Sequence, residues 1–174
     1  RPLAPYLDQP DEDAGRCVAG SGSEKDGKLY LMYTAVSQGH QQTQCIAVTE
    51  DCVHFTKLAE NPLIGQCPLD PLSLHFRDPK VFQWEDGTYR MVCGGSDHEM
   101  TTSAVMLYKS EDLLHWEYVG PIFQTSEMGP VMECPDLFPL EDKWVLDFSR
   151  MDQPQCVQFV VGDFDGEHFT PESF

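Results

Sequence analysis

Basic side chains are scarce in this sequence. Eleven Lys and Arg stand against 29 Asp and Glu in 174 residues, a formal net charge of −18. Such a surface cannot neutralise a run of phosphates, which excludes nucleic acid and anionic membrane surfaces as partners and leaves neutral or cationic ligands. No apolar run approaches the length of a membrane span, and no secretory or transit pattern is visible. The chain opens at Arg1 rather than Met, so the expectation is that its natural N-terminus lies upstream. C-x-x-C pairs and H-E-x-x-H are both missing, so no metal site and no cofactor are assigned. The seven cysteines (17, 45, 52, 67, 93, 134 and 156) are odd in number, unlike the even frameworks of small secreted domains. They read as mostly small buried hydrophobes in a reducing compartment, which favours the cytoplasm. The acidic patch Asp8, Asp11, Glu12, Asp13 reads as a solvated loop rather than a calcium site. A long amphipathic helical pattern is also lacking, and 13 Pro and 13 Gly would interrupt one. With 41 % apolar residues the chain is nevertheless not disordered, and its length suits one compact domain.

What the sequence does contain is an internal repeat. Lys25-Asp26-Gly27, Glu85-Asp86-Gly87 and Glu141-Asp142-Lys143 each precede a short aromatic and aliphatic run. A second marker keeps pace with the first: Glu50-Asp51-Cys52-Val53-His54-Phe55, Glu111-Asp112-Leu113-Leu114-His115-Trp116, and the looser Asp163-Phe164-Asp165-Gly166-Glu167-His168-Phe169. Acidic-Gly pairs suit tight hairpin turns, because they tolerate positive φ. Runs such as Lys28 to Tyr33, Val105 to Lys109 and Cys156 to Val161 have the length and composition of strands. Each repeat therefore holds four antiparallel strands, which predicts an all-β fold, a β-propeller with about three four-stranded blades over residues 14–62, 74–124 and 130–174. A β-sandwich is the alternative, but it does not predict two markers in phase. Trp84, Trp116 and Trp144 keep the repeat period and read as packing residues; so do His54, His115 and His168, which removes them from the ligand candidates.

In a propeller the first strand of each blade lines the central channel. Those strands are expected at Cys17 to Ser23, Arg77 to Phe82 and Glu133 to Leu140. Asp78 lies eight residues before Asp86 and Glu133 nine before Asp142, so the two carboxylates are near-equivalent and point to one mouth. Charges at strand starts are ordinarily solvated; the repeat register singles these out. Two carboxyls with different proton occupancy are what glycoside hydrolysis needs. Glu133, beside the apolar run Met128 to Met132, is expected in an apolar setting that keeps it protonated. Asp78, next to Arg77, is expected to stay ionised. His75, just before Phe76-Arg77-Asp78, reads as a loop residue, with a place at the edge of the pocket as the alternative.

The same residues carry a family resemblance. Phe76-Arg77-Asp78-Pro79-Lys80-Val81 resembles the RDP motif of glycoside hydrolase family 32, and Glu133-Cys134-Pro135-Asp136-Leu137-Phe138 resembles its EC motif. Leu107 to Trp116 and Phe159 to Gly166 are similar to the family as well. The resemblance implies a five-bladed propeller followed by a β-sandwich, and retaining hydrolysis of β-fructofuranosides, whether sucrose, sucrose phosphate or fructans. It implies Glu133 as general acid/base, Asp78 as transition-state stabiliser, Arg77 as a substrate-binding residue that positions Asp78, and Cys134 as a neighbour that tunes Glu133; core packing is the alternative for Cys134. The family's nucleophile belongs to an N-D-P-N-G-like motif, whereas the only asparagine here is Asn61. The expectation is that the chain begins after that motif and ends within the fourth blade, without the sandwich, and that alone it is inactive. In the first inner strand, Val18 and Ala19 stand where relatives place an aromatic residue and a serine against fructose. The implied partner is a small-molecule or oligosaccharide β-fructoside; the oligomeric state is left open. Fructosyl transfer, arabinan hydrolysis on a related propeller, and a non-catalytic sugar-binding propeller are the competing functions.

Overall fold

The computed structural model describes residues 16–172, apart from the side chains of residues 154 and 155. The acidic patch Asp8, Asp11, Glu12, Asp13 lies outside the described residues. Among those residues every regular element is a strand: β1 (Arg16–Lys25), β2 (Lys28–Val36), β3 (Gln42–Thr49), β4 (Thr56–Lys57), β5 (Phe76–Gln83), β6 (Tyr89–Ser96), β7 (Ser103–Ser110), β8 (Glu117–Thr125), β9 (Met132–Leu140), β10 (Lys143–Arg150), β11 (Gln153–Phe164) and β12 (Phe169–Pro171). They form three four-stranded antiparallel sheets, each in simple meander order.

Turn chemistry sets the first hairpin of each sheet. Asp26 and Gly27 take φ of 52° and 76°, as a two-residue primed turn requires. In the second sheet Gly87 takes φ 85°, and in the third, which lacks a turn glycine, Glu141 takes φ 57°. At the same end of each sheet, the connection from the third to the fourth strand is held by the second repeat marker. Asp51, Asp112 and Asp165 each accept, on Oδ1, the backbone N–H groups two and three residues on, at 2.7–2.9 Å. The His ring then closes on Oδ2 at 2.6 Å in Asp51–His54 and 2.7 Å in Asp112–His115. These histidines thus brace turns.

The inner strands lie side by side, with β5 flanked by β1 and β9. The middle sheet buries both its faces, which a two-sheet sandwich does not do. All eight residues of β6 are buried. Met91 and Cys93 join Met32, Ile46 and Phe76 in one core, while Val92 joins Leu137, Leu146 and Phe148 in another. In β7, Ala104, Met106 and Tyr108 face the first core, and Val105 and Leu107 the second. A strand covered on both faces has no polar side, so these runs read as uniformly apolar. Each fully buried Leu, Phe or Met contributes roughly 1.5–3 kcal/mol. These two cores fix how the sheets fan around the hub, giving a β-propeller. Trp84, Trp144 and Phe164 pack mutually with ring centroids 5.2–5.4 Å apart, and Trp116 donates its indole N–H to Leu113 O at 3.0 Å.

Fewer cysteines are core residues than the sequence suggests. Cys45, Cys67 and Cys93 are buried, but Cys17 is half-buried and Cys52, Cys134 and Cys156 are exposed. Cys52 and Cys134 occupy left-handed backbone positions, φ 58° and 49°, at a turn and a bulge rather than within a regular ladder.

Two predictions concern this frame. A Cβ at Gly94 would lie 1.9 Å from Met132 O, a backbone atom of β9. Gly94→Ala should therefore force the second and third sheets apart and cost about 3 kcal/mol in chemical denaturation; an unchanged midpoint would contradict this contact. At Asp112, burial opposes ionisation, but the His115 ring and the amides of His115 and Leu114 outweigh it and hold the carboxyl below its ordinary value. Asp112→Ala should cost about 1 kcal/mol at neutral pH, like the loss of a capping carboxylate. A depressed carboxyl stabilises above its unfolded value and loses that contribution as pH falls, so the difference in Tm should shrink between about pH 5 and pH 2.

Candidate active site

Each inner strand carries a bulge at the same place. Val18 opposes Thr34 and Gly20 opposes Tyr33, leaving Ala19 extra. Arg77 opposes Gly94 and Lys80 opposes Val92, so Asp78 and Pro79 span one partner residue. Glu133 opposes Ser149 and Asp136 opposes Asp147, so Cys134 and Pro135 do the same. The registers correct the expected equivalence by one residue. Arg77 matches Glu133 and Val18, whereas Asp78 matches Cys134 and Ala19. The spacing to the following turn carries the same step, since Arg77, like Glu133, lies nine residues before its turn aspartate; the bulge gives its physical origin. Asp78 and Cys134 both adopt left-handed backbone, φ 63° and 49°, at a cost of roughly 1–2 kcal/mol each. Each is followed by proline, which has no N–H to lose where the ladder is broken.

The bulges turn four of the expected site residues to one mouth. The Arg77 guanidinium donates from Nη2 to Glu133 Oε1 at 2.8 Å, and its Nε lies 3.7 Å from Asp78 Oδ2. Both carboxylates therefore flank one cation. Cys134 N–H donates to Asp78 Oδ2 at 2.8 Å, tying β9 to β5. Deeper along the same strands, Lys80 Nζ meets Asp136 Oδ2 at 2.5 Å. Val18 and Ala19 stand at the corresponding positions of β1, half-buried and exposed respectively.

Three expectations about environment need correction. Glu133 is not in an apolar setting: strand alternation sends Met132 into the core, while Glu133 turns outward, one-third exposed, onto Arg77. Cys134 is not a core residue; it contributes its backbone amide. Its thiol is pushed up to about 11 by burial and by Asp78, which disqualifies it as a nucleophile at neutral pH. For Asp78, only 7 % exposed, burial raises the carboxyl above its ordinary range, against the Cys134 amide and Arg77, which pull it down. Proximity to Arg77 is thus not what dominates Asp78.

Other groups complete the surroundings of Arg77 and Asp78; of these His75 was read from the sequence, and Thr34 and Met151 were not. Arg77 Nη1 donates to His75 Nδ1 at 2.9 Å, so that nitrogen carries no proton; burial and then Arg77 lower the His75 pKa. Arg77 also reaches Met151 Sδ at 3.8 Å. Thr34 accepts the Asp78 N–H at 3.0 Å. The unusual signal available was polar residues within otherwise apolar strands, Thr34 in β2 and Gln42 and Gln44 in β3. Among the described residues no group of three or more His, Cys, Asp or Glu side chains is arranged to hold a metal ion.

The propeller fold, with two carboxyls on one guanidinium at the starts of adjacent inner strands, is of the glycoside hydrolase class. The chain belongs to glycoside hydrolase family 32: the family's N-terminal domain, described as "Glycosyl hydrolases family 32 N-terminal domain", matches residues 2–174. It is 37 % identical over 143 residues to the sucrose-6-phosphate hydrolase of Bacillus subtilis (strain 168), covering 77 % of this chain and 29 % of that protein. It is 35 % identical over 170 residues to the levanase of the same organism, covering 90 % and 24 %. Among solved structures, a Bombyx mori GH32 beta-fructofuranosidase superposes with a TM-score of 0.82 at 26 % identity, covering 99 % of this chain and 38 % of that one. Sucrose-6-phosphate hydrolase from Lactobacillus gasseri gives 0.80 at 28 % identity, covering 95 % and 36 %. The chain thus spans 24 % to 38 % of the length of these relatives.

The raised Asp78 carboxyl makes a stability prediction. An acid whose folded value exceeds its unfolded value penalises the fold above the unfolded value, and the penalty is relieved as pH falls. Asp78→Asn keeps an acceptor for the Cys134 amide but removes the buried charge. Its Tm relative to wild type should be more favourable at pH 7 than at pH 3; a difference independent of pH would refute a burial-dominated Asp78.

Proposed function

We propose that this chain supplies two of the reacting groups of a retaining β-fructofuranosidase, acting on sucrose, sucrose phosphate or a fructan. The observation that carries this is the single Arg77 guanidinium between Glu133 and Asp78 at the ends of adjacent inner strands. Glu133 gives its proton to the glycosidic oxygen as the bond to the anomeric carbon breaks, and the electron pair leaves with that oxygen. Its carboxylate then takes a proton from the water that releases the sugar. Asp78, with Oδ2 occupied by the Cys134 amide, offers Oδ1 to fructose hydroxyls whose bonds strengthen as positive charge develops on the ring. Arg77 fixes both carboxyls and touches the same sugar. Val18 and Ala19 form the aliphatic wall of the pocket on β1, and Cys134 sets the distance between Glu133 and Asp78 through its amide. The N-D-P-N-G-like motif that bears the family's nucleophile has no counterpart in the sequence, whose only asparagine, Asn61, is followed by Pro62 and Leu63, so the attacking carboxylate is assigned to no residue of the chain.

In the whole protein, Glu133→Gln should lower kcat on sucrose or levan by roughly 10²–10⁴-fold. An aryl fructoside, whose leaving group needs no proton, should suffer far less in its bond-breaking step. Asp78→Asn should depress both substrates alike. Wild-type turnover by Glu133→Gln, or equal losses on both substrates, would sink the acid/base assignment.

A further inference from the structure

The bulge that aims Asp78 into the cleft also strips its backbone N–H of a ladder partner, because β6 offers only one residue opposite Asp78 and Pro79. A buried N–H without an acceptor costs about 1–3 kcal/mol. Here the acceptor comes from the neighbouring sheet: Thr34 Oγ1, at 3.0 Å. Thr34 donates its own hydroxyl to Gln44 Oε1 at 2.8 Å, and Gln44 Nε2 donates to Phe76 O at 2.7 Å. Gln42 Oε1 accepts the Phe76 N–H at 2.8 Å. The donor directions are mutually consistent. Thr34 has one hydroxyl proton, already given to Gln44, so its oxygen can only accept from Asp78. Thr34 and Gln44 are fully buried, and Gln42 and Asp78 nearly so. Aliphatic side chains of similar volume would fill this space without burying polar groups. What they could not do is hold β5 at residues 76 and 78 at once.

We propose that Thr34 and Gln44 are positioning residues for Asp78, clamping the backbone on either side of Arg77 so that Asp78 keeps its left-handed conformation; this rests on the functional reading above. Comparison within the molecule supports the assignment. Thr34 and Gly94 occupy matching places, each opposite the residue before a bulge. Glycine has no side chain to offer, and the matching amide of the third inner strand, Cys134 N–H, is accepted by Asp78 Oδ2 instead. The two bonds form a relay. Thr34 holds the Asp78 amide, and Asp78 holds the amide next to Glu133. Loss of the Thr34 hydroxyl therefore displaces Asp78 and, through it, the strand that carries Glu133.

The test uses the whole protein. Thr34→Val should lower kcat by roughly tenfold to a hundredfold, as for a displacement of about 1 Å, with KM kept within about threefold, because the loss is of transition-state rather than ground-state binding. Thr34→Ser, which restores the hydroxyl, should return kcat to near wild type. In an Asp78→Asn background, with an aryl fructoside as substrate, adding Thr34→Val should cost less than about twofold more, because the two residues act through one group. Where Thr34→Val does not fold, Thr34→Cys carries the same expectations at smaller size. Wild-type kcat in Thr34→Val, no recovery in Thr34→Ser, or a full additional loss in the Asp78→Asn background would each overturn the positioning role. Wild-type turnover by Glu133→Gln and Asp78→Asn would instead overturn the reading of the site itself.

Discussion

A backbone N–H that loses its strand partner must find another acceptor, and the arrangement of this site follows from where each bulge finds one. The second and third inner strands break their ladders just where the chemistry-bearing side chains stand. Asp78 finds its acceptor in Thr34 of the preceding sheet, and Cys134 finds its acceptor in Asp78. The charged mouth is thereby coupled to the frame by backbone bonds rather than by side-chain ion pairs alone. Arg77 then distributes one positive charge over Glu133 and Asp78.

The frame that bears this load is a set of sheets whose buried Thr34, Gln42 and Gln44 side chains are each hydrogen-bonded. Both cores around the middle sheet are built mainly of aliphatic, aromatic and sulfur-bearing side chains, and Thr34, Gln42 and Gln44 are buried beside them. Satisfied polar groups in such surroundings specify register, because any slip orphans them. Asp78 is kept in a buried place that disfavours its own charge. Such a local cost is characteristic of functional sites, where stability and activity make opposite demands.

Much of the fold was legible in the residues because its turns are local. Asp26-Gly27 can form a primed turn from its own chemistry, and the Asp112–His115 brace spans only four residues, so these features recur visibly along the chain. The burial of Met91 against one sheet and Val92 against the next was not legible, since an unbroken apolar run has no period from which to read its faces. Site residues were legible where a motif carries them, as with Arg77-Asp78-Pro79 and Glu133-Cys134. Their one-residue offset was present in the spacing, eight residues to the turn aspartate from Asp78 against nine from Glu133, but the bulge behind it was not legible. Thr34 and Gln44 were passed over because they lie in a different repeat, 44 and 34 residues before Asp78.

The sequence by itself determined the strand-and-turn repeat, the placement of two acidic motifs at inner-strand starts and the family to which they belong, because each depends on neighbours within a few residues. Only the tertiary structure decided that Glu133 faces a guanidinium instead of an apolar wall, and that the Asp78 amide is held by a threonine from another sheet. Those are contacts between residues far apart in the chain, and they are set by how the sheets pack around the hub.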